Sequence, residues 1–296
     1  MRVSRQQERI LGGLRLALLA LPIAFVVFFL VAPLALAFAI SFWQRVGFRV
    51  RPAFQVAAYA DFLSGVRLFV LERGLLVAAE VTAISLLIAY PVAYLLCFRA
   101  RRATARLILA LFTLPFLVNY IIRTFSWSWL LERTGPVNRA LIALGLTHGP
   151  VDWLLYSDFA VLLGLVTSVM PFMIFPIYLA LGGLDRRLLE ASWLLGAGPR
   201  RTFWRITLPL SLPGVFAALV FGFVGAFGDS AVPIILGGTG YQLMGNAITS
   251  TLDVLNYPLA SAMSSVVVLV MLMLLLCWYA VFDLRAFLGK ILRWRV

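Results

Sequence analysis

The stretch Leu188–Gly214 reads LLEASWLLGAGPRRTFWRITLPLSLPG and stands between two long apolar runs. Its first half places charged and small residues at intervals that suit a short amphipathic helix. Leu188, Leu189, Trp193 and Leu195 supply apolar contacts, and Glu190, Arg200 and Arg201 supply polar ones. Gly196 and Gly198 permit a sharp turn, and Pro199 is suited to begin a further helical turn. The spacing therefore predicts a compact helical excursion over Arg186–Phe203. Such a segment can dock on a soluble partner, or lie on anionic lipid through its arginines.

The surroundings place the excursion at a membrane. Of 296 residues, 63% are hydrophobic and only 12% charged, with a mean hydropathy of +1.00, whereas a soluble domain carries about 25% charged residues. Only helices and closed barrels satisfy every backbone polar group in lipid, and an α-helix needs about 20 apolar residues to cross. Six runs qualify: Leu14–Phe42, Leu75–Phe98, Leu107–Leu130, Phe159–Leu181, Leu210–Leu236 and Ser261–Phe282. The expected fold class is an all-α integral membrane protein with six transmembrane helices, forming one domain over residues 1–296. The N-terminal MRVSRQQER with the later Ala35–Ala39 (ALAFA) imitates a signal peptide. Its apolar core is longer than the usual ~7–15 residues, so it is read as a retained first span.

Basic residues set the orientation. With the N-terminus inside, the inner side receives Arg2, Arg5, Arg9, Arg15, Arg99, Arg101, Arg102, Arg106, Arg186, Arg187, Arg200, Arg201, Arg205, Arg285, Lys290, Arg293 and Arg295. The outer side receives seven, of which Arg45, Arg49, Arg51, Arg67 and Arg73 share one long loop, and the last outer loop, Gly237–Ala260, has none. Both termini are therefore expected in the cytoplasm. The net charge of +13 is explained by this topology, and nucleic acid is not an expected partner. Cys97 and Cys277 lie in or at the end of apolar runs and His148 is the one histidine, so neither a disulfide framework nor a metal site is indicated.

The excursion is thus a cytoplasmic loop of about residues 185–209 between the fourth and fifth spans. Within it, Glu190-Ala191-Ser192, three residues, Gly196, nine residues, and Ile206-Thr207-Leu208-Pro209 resemble the EAA signature of permease subunits in bacterial ATP-binding-cassette importers. Ser192 for the second alanine is the one departure. The resemblance implies a type I importer permease fold in the bacterial inner membrane, with the loop as the helix that couples to the ATPase through Glu190, Ala191, Ser192, Gly196, Ile206, Leu208 and Pro209. Further stretches narrow the likeness: Leu114–Leu146, Val169–Leu181 (VMPFMIFPIYLAL), Phe227–Gly238 (FGDSAVPIILGG) and Met244–Asn246 are similar to the spermidine/putrescine permease family. Relatives moving other small cationic or amino-acid-derived solutes share parts of these motifs. Membership implies a second homologous permease subunit, two copies of a cytoplasmic ATPase and a periplasmic substrate-binding protein around this chain, with membrane lipid.

The residues agree with a transport subunit driven from outside. The only lysine, Lys290, lies in no G-x-x-x-x-G-K-[ST] context, so no cofactor is expected in this chain, and ATP and Mg belong to the partner ATPase. No nucleophile–base–acid constellation marks an enzyme. A secondary transporter would show more spans or an inverted repeat, and a channel a selectivity ring. Pro115, Pro171 and Pro176 can bend spans three and four, as a gate or as ordinary membrane-helix prolines. Gly222, Gly225 and Gly228 form a smooth packing stripe on span five.

Charges at depth are candidates for a substrate path or for a structural ion pair. Glu80, Arg123 and Asp229 fall within spans, and charge in hydrocarbon costs at least about 2.5–3.5 kcal/mol. These residues should face the bundle interior or water, either as an Arg123–acid ion pair or as part of a cation path. Asp61, Glu72, Glu80, Glu132, Asp152, Asp158, Asp229 and Asp253 fall on the outer side, against Glu8, Asp185, Glu190 and Asp283 toward the inner side. Tyr120, Trp127, Trp129, Trp153 and Tyr156 also gather outside, as cation–π partners or as a headgroup belt. The candidate path residues are Glu80, Tyr120, Arg123, Trp127 and Asp229.

Overall fold

Apolar length and helix caps between them set the elements of this chain. A computed structural model describes residues 22–47 and 49–282, together with Leu18 and Ala20. The terminal arginines and Lys290 that entered the orientation reading, and the start of the first span, lie outside the described residues. In chain order the elements are α1 (Pro22–Ile40, π-helical at Val27–Val31), β1 (Gln44–Val46), β2 (Arg49–Arg51), α2 (Ala57–Leu63), α3 (Val66–Phe98), α4 (Arg102–Leu117), α5 (Tyr120–Leu131) and α6 (Pro136–Ala143). There follow α7 (Asp158–Gly182), α8 (Arg186–Leu194), α9 (Pro199–Thr202), α10 (Leu208–Phe227), α11 (Ala231–Gly237), α12 (Met244–Asp253) and α13 (Tyr257–Phe282).

Among the described residues five helical runs are long and apolar enough to span a membrane: Pro22–Ile40, Val66–Phe98, Asp152–Gly182, Pro199–Phe227 and Tyr257–Ala280. A pair, Arg102–Pro115 and Tyr120–Ala143, bent by 94°, has that length and apolarity only when its two helices are taken together. Here the expected span Leu107–Leu130 differs from the structure. Val118 is extended, and the side chain of the N-cap residue Asn119 accepts from the Ile121 amide at 2.9 Å, starting a new helix. The expected span Leu210–Leu236 is likewise divided, because α10 ends at Phe227 and α11 starts at Ala231. Helix α3 begins nine residues before the expected Leu75, so Arg67, Glu72 and Arg73 ride on helix instead of in a loop. Its 33 residues reach about 50 Å, well beyond a ~30 Å hydrocarbon core. Pro171 and Pro176 sit inside a continuous α7.

The chain divides into two compact units, one holding residues up to Gly65 with Ser250–Leu269, the other Val66–Thr249 with the residues from Val270 on. In the first, β1 and β2 form an antiparallel hairpin with Arg45 opposite Val50. Ser41 Oγ donates to the Phe38 carbonyl at 2.6 Å and shares a hydrogen bond with Tyr59 Oη at 2.7 Å. Arg45 Nη2 donates to the Val254 carbonyl at 3.0 Å.

In the second unit α3, α7 and α10 pack on one another, with α11 against α7 and α5. Leu165, Met173, Ile174, Ile177 and Leu181 of α7 are fully buried there. Small residues let α10 approach α7: a Cβ at Gly222 would stand 2.7 Å from Met173 Sδ, and Gly225 meets Val169 at 3.4 Å. A Cβ at Gly228 would meet only the Val224 carbonyl of its own helix, at 3.3 Å. The expected stripe therefore packs α7 through two of its three members.

Candidate coupling loop and intramembrane polar cluster

The loop after α7 is built by caps. Asp185 accepts from the Arg187 amide at 2.9 Å and starts α8, satisfying one of the orphan donors of its first turn. At the other end Gly196 takes a left-handed φ of +77°, and the amides of Gly196 and Ala197 donate back to Trp193 and Ser192 at 2.9 and 3.0 Å. That closure is the glycine C-cap of a helix. Pro199 then opens α9, which runs through π-helical Phe203–Thr207 into α10.

The motif residues divide between a tip and a base. Glu190, Ala191 and Gly196 are exposed, Ile206, Leu208 and Pro209 are half-buried where α10 begins, and Ser192 is buried. Ser192 Oγ donates to the Leu189 carbonyl at 2.7 Å and shares a 2.8 Å hydrogen bond with Thr202 Oγ1. The serine that departs from the signature thus ties α8 to α9. Leu194 and Leu195, 89% and 88% exposed, stand at the tip with exposed Leu188, Trp193 and Trp204. Contiguous exposed apolar side chains of this kind mark a protein-docking or membrane surface.

Three of the five candidate path residues come together. Tyr120 Oη donates to Asp229 Oδ2, and the Arg123 guanidinium lies 5.2 Å from the centre of the Tyr120 ring. Asp229 Oδ1 accepts from the Val232 amide at 2.9 Å, so the carboxylate that sits in the break between α10 and α11 also caps α11. Arg123 forms no ion pair with Glu80 or Asp229 among the described residues. Its Nη1 donates to the Pro115 carbonyl at 3.4 Å, satisfying an orphan acceptor at the end of α4. Trp127 is half-buried on α5, and Glu80 is exposed midway along α3; neither joins the cluster.

A second polar cluster escaped the sequence reading. Asp158 Oδ1 accepts both from Arg73 Nη2 and from Tyr241 Oη, each at 2.7 Å, and the Arg73 guanidinium covers the Tyr241 ring at 4.5 Å. Burial first, and then the bond to Asp158, push the Tyr241 phenol above the ordinary tyrosine range, so it stays a donor. The loop behind Tyr241 is pinned as well: Asn246 Nδ2 donates to the Tyr241 carbonyl and Asn246 Oδ1 accepts from the Leu243 amide, both at 2.7 Å. Gly245 then lies against the backbone of Asp229, where a Cβ would stand 2.4 Å from the carbonyl oxygen. Asp158 at the start of an apolar run was legible as a helix-start acid. Its partner 83 residues away left no local signal.

The sequence model of the family described as "binding-protein-dependent transport system inner membrane component" matches residues 82–286. The spermidine/putrescine transport system permease protein PotB of Haemophilus influenzae is 34% identical over 263 residues, covering 88% of this chain and 91% of that protein. PotB of Escherichia coli is 34% identical over 233 residues, covering 78% and 84%. The E. coli inner membrane ABC transporter permease protein YdcU is 33% identical, covering 67% of this chain and 66% of that one. Among solved structures, a chain of a bacterial ABC transporter that imports the acidic polysaccharide alginate superposes with a TM-score of 0.72 at 18% identity, covering 95% and 99% of the two chains. That likeness extends the shared fold over nearly the whole chain.

Proposed function

Because the chain belongs to the family of binding-protein-dependent transport system inner membrane components, we propose that this permease forms half of the path by which a bacterial ATP-driven importer takes up polyamines. The observation that carries the coupling role is the capped α8–α9 turn, whose exposed Trp193, Leu194 and Leu195 crown the EAA residues. A short helix fixed at both ends and gripped by a moving partner transfers displacement instead of absorbing it. Spermidine and putrescine are the substrates proposed, on the strength of the PotB relatives.

In this reading the permease spans the inner membrane as one domain with both termini in the cytoplasm. It pairs with a second homologous permease, docks on two copies of an ATPase that bind ATP and Mg, and receives substrate from a periplasmic binding protein. Asp229 with Tyr120 and Arg123 offers a hydrogen-bonded carboxylate to a passing ammonium group, and Glu80 and Trp127 are assigned to the same path. A carboxylate near an ammonium favours it even where water partly screens the pair.

Reconstituted vesicles containing the full importer test the reading. ATP-dependent uptake of labelled putrescine or spermidine is expected, and Asp229→Asn is expected to lower uptake per molecule at unchanged membrane level. Uptake of neither polyamine by the wild-type complex refutes the substrate class.

A further inference from the structure

Beyond the Asp229 cluster, two cavities of about 600 and 700 Å3 adjoin at the end of α5. Phe125, Ser128 and Tyr156 line both. The shared side chains join them into one groove of two lobes with an aromatic waist. In one lobe stand Trp129, Glu132 and Asp152, and the other is floored by Gly237–Gly240.

The waist is held in an unusual backbone. Tyr156 is a non-glycine residue with φ of 56°, and its ring lies against Gly238, itself at φ of 80°, where a Cβ would stand 3.1 Å from Tyr156 Cδ1. Left-handed strain at a bulky residue persists only where its surroundings over-determine it, and such residues gather at ligand clamps. The charges in the groove do not cancel. Arg133 Nε lies 3.3 Å from Asp152 Oδ1, whereas the Glu132 carboxylate has no hydrogen-bond or ion-pair partner among the described residues. Exposed aromatic faces beside one uncompensated carboxylate select a cation: the carboxylate takes an ammonium, and ring faces take both methylenes and a second ammonium.

We propose that this groove is a capture subsite for a linear alkyl di- or polyammonium ion, with Glu132 as its anion and Phe125, Trp129 and Tyr156 as its walls. The proposal rests on the polyamine reading above and adds a place where the cation waits before it reaches Asp229. Two lobes about an aromatic waist suit an extended chain with charge at both ends better than a compact cation.

Equilibrium binding of labelled spermidine and putrescine to the purified importer complex in lipid nanodiscs, without binding protein, tests it, with uptake by the same complex in vesicles alongside. Glu132→Gln should weaken binding about tenfold, the order of one charge–charge contact in a partly solvated groove. Trp129→Leu should weaken it about two- to fivefold, as for an exposed cation–π contact. Glu132→Asp should retain most of the affinity, and butylammonium should compete far less well than putrescine, a chain-end dependence that a purely structural role would not produce. Glu132 is exposed, so its variants are expected at wild-type membrane levels. If the wild-type complex imports polyamines while Glu132→Gln and Trp129→Leu bind them as wild type does, the subsite is overturned and the polyamine reading stands. The subsite is equally overturned if the variants lose capture of the binding protein while keeping cation affinity, because the groove is then a docking face. A wild-type complex that neither binds nor imports polyamines overturns both.

Discussion

Replacing Gly196 with alanine isolates the coupling turn from everything else in the chain. A Cβ at Gly196 meets nothing within 4 Å, yet the residue holds φ at +77°. The cost of the substitution is therefore conformational alone, about 1–2 kcal/mol for a non-glycine residue in the left-handed region. At 1.4 kcal/mol per tenfold, that shifts the population of the closed α8–α9 turn by roughly 5- to 30-fold. Asparagine tolerates the same region far better, so Gly196→Asn should keep most of the coupling that Gly196→Ala loses. The assay is substrate-stimulated ATP hydrolysis and uptake by the reconstituted importer, normalised to permease level in the membrane. Equal coupling in wild type, Gly196→Ala and Gly196→Asn would refute the claim that this turn transmits force. Equal loss in both variants would show that side-chain size matters there instead of backbone conformation.

Other consequences can be read at single bonds. Ser192→Ala leaves the buried Thr202 hydroxyl without its 2.8 Å partner at a cost of about 1–3 kcal/mol; adding Thr202→Val should recover part of it in a double-mutant cycle of melting temperatures. Asp158→Asn should cost under about 1 kcal/mol, since Arg73 and Asp158 are 36% and 68% exposed and exposed pairs contribute little. Asp158→Ala should cost more, because it also strands the Tyr241 hydroxyl, and melting at low and high salt separates the screened charge contribution from the hydrogen bond. Gly245→Ala drives a Cβ to 2.4 Å from the Asp229 carbonyl, so permease level in the membrane should fall by the ~1–3 kcal/mol of an overpacked site.

The sequence made the membrane class and the helical excursion over Arg186–Phe203 legible for different reasons. Composition and run length decide the class, because hydrocarbon thickness sets the length of every crossing helix. The excursion is legible because a helix–turn–helix needs particular residues at fixed spacing, and Gly196 and Pro199 each satisfy one such need, whereas the cap at Asp185 emerged only from the structure. Hydropathy is blind to the two broken spans. Val118–Asn119 and Gly228–Ser230 are too short to interrupt an apolar window, and what breaks the helix there is a side chain, Asn119 or Asp229, capping the next segment. The hairpin of β1 and β2 escaped for the opposite reason, since Gln44–Val46 and Arg49–Arg51 are too short for alternation to register. Of the two readings open for Arg123, the direct ion pair with an acid is not formed among the described residues; a helix C-terminus and the ring of Tyr120 hold the guanidinium instead.

The loop and the polar cluster belong to opposite ends of one element. From Pro199 to Phe227 the chain is a single helical run of 29 residues, about 43 Å at helical rise, with Ile206, Leu208 and Pro209 near its start and Asp229 two residues beyond its end. Near the start of α10, a Cβ at Gly214 would stand 2.4 Å from that of Ala180 and 2.5 Å from the Pro176 carbonyl oxygen, and Gly222 is nearly as close to Met173. Packing this tight does not yield to small displacements, so α10 and α7 move together or hardly at all. In the proposed importer, force received at Trp193–Leu195 therefore passes along α10 to the break at Gly228–Ser230, where the backbone is first free to turn. The carboxylate there holds α5 through Tyr120 and α11 through Val232, so a shift of the helix end is a shift in which of these partners Asp229 keeps. An ammonium ion competing with the Tyr120 hydroxyl for that carboxylate would thus be sensed by the same atoms that the coupling loop moves.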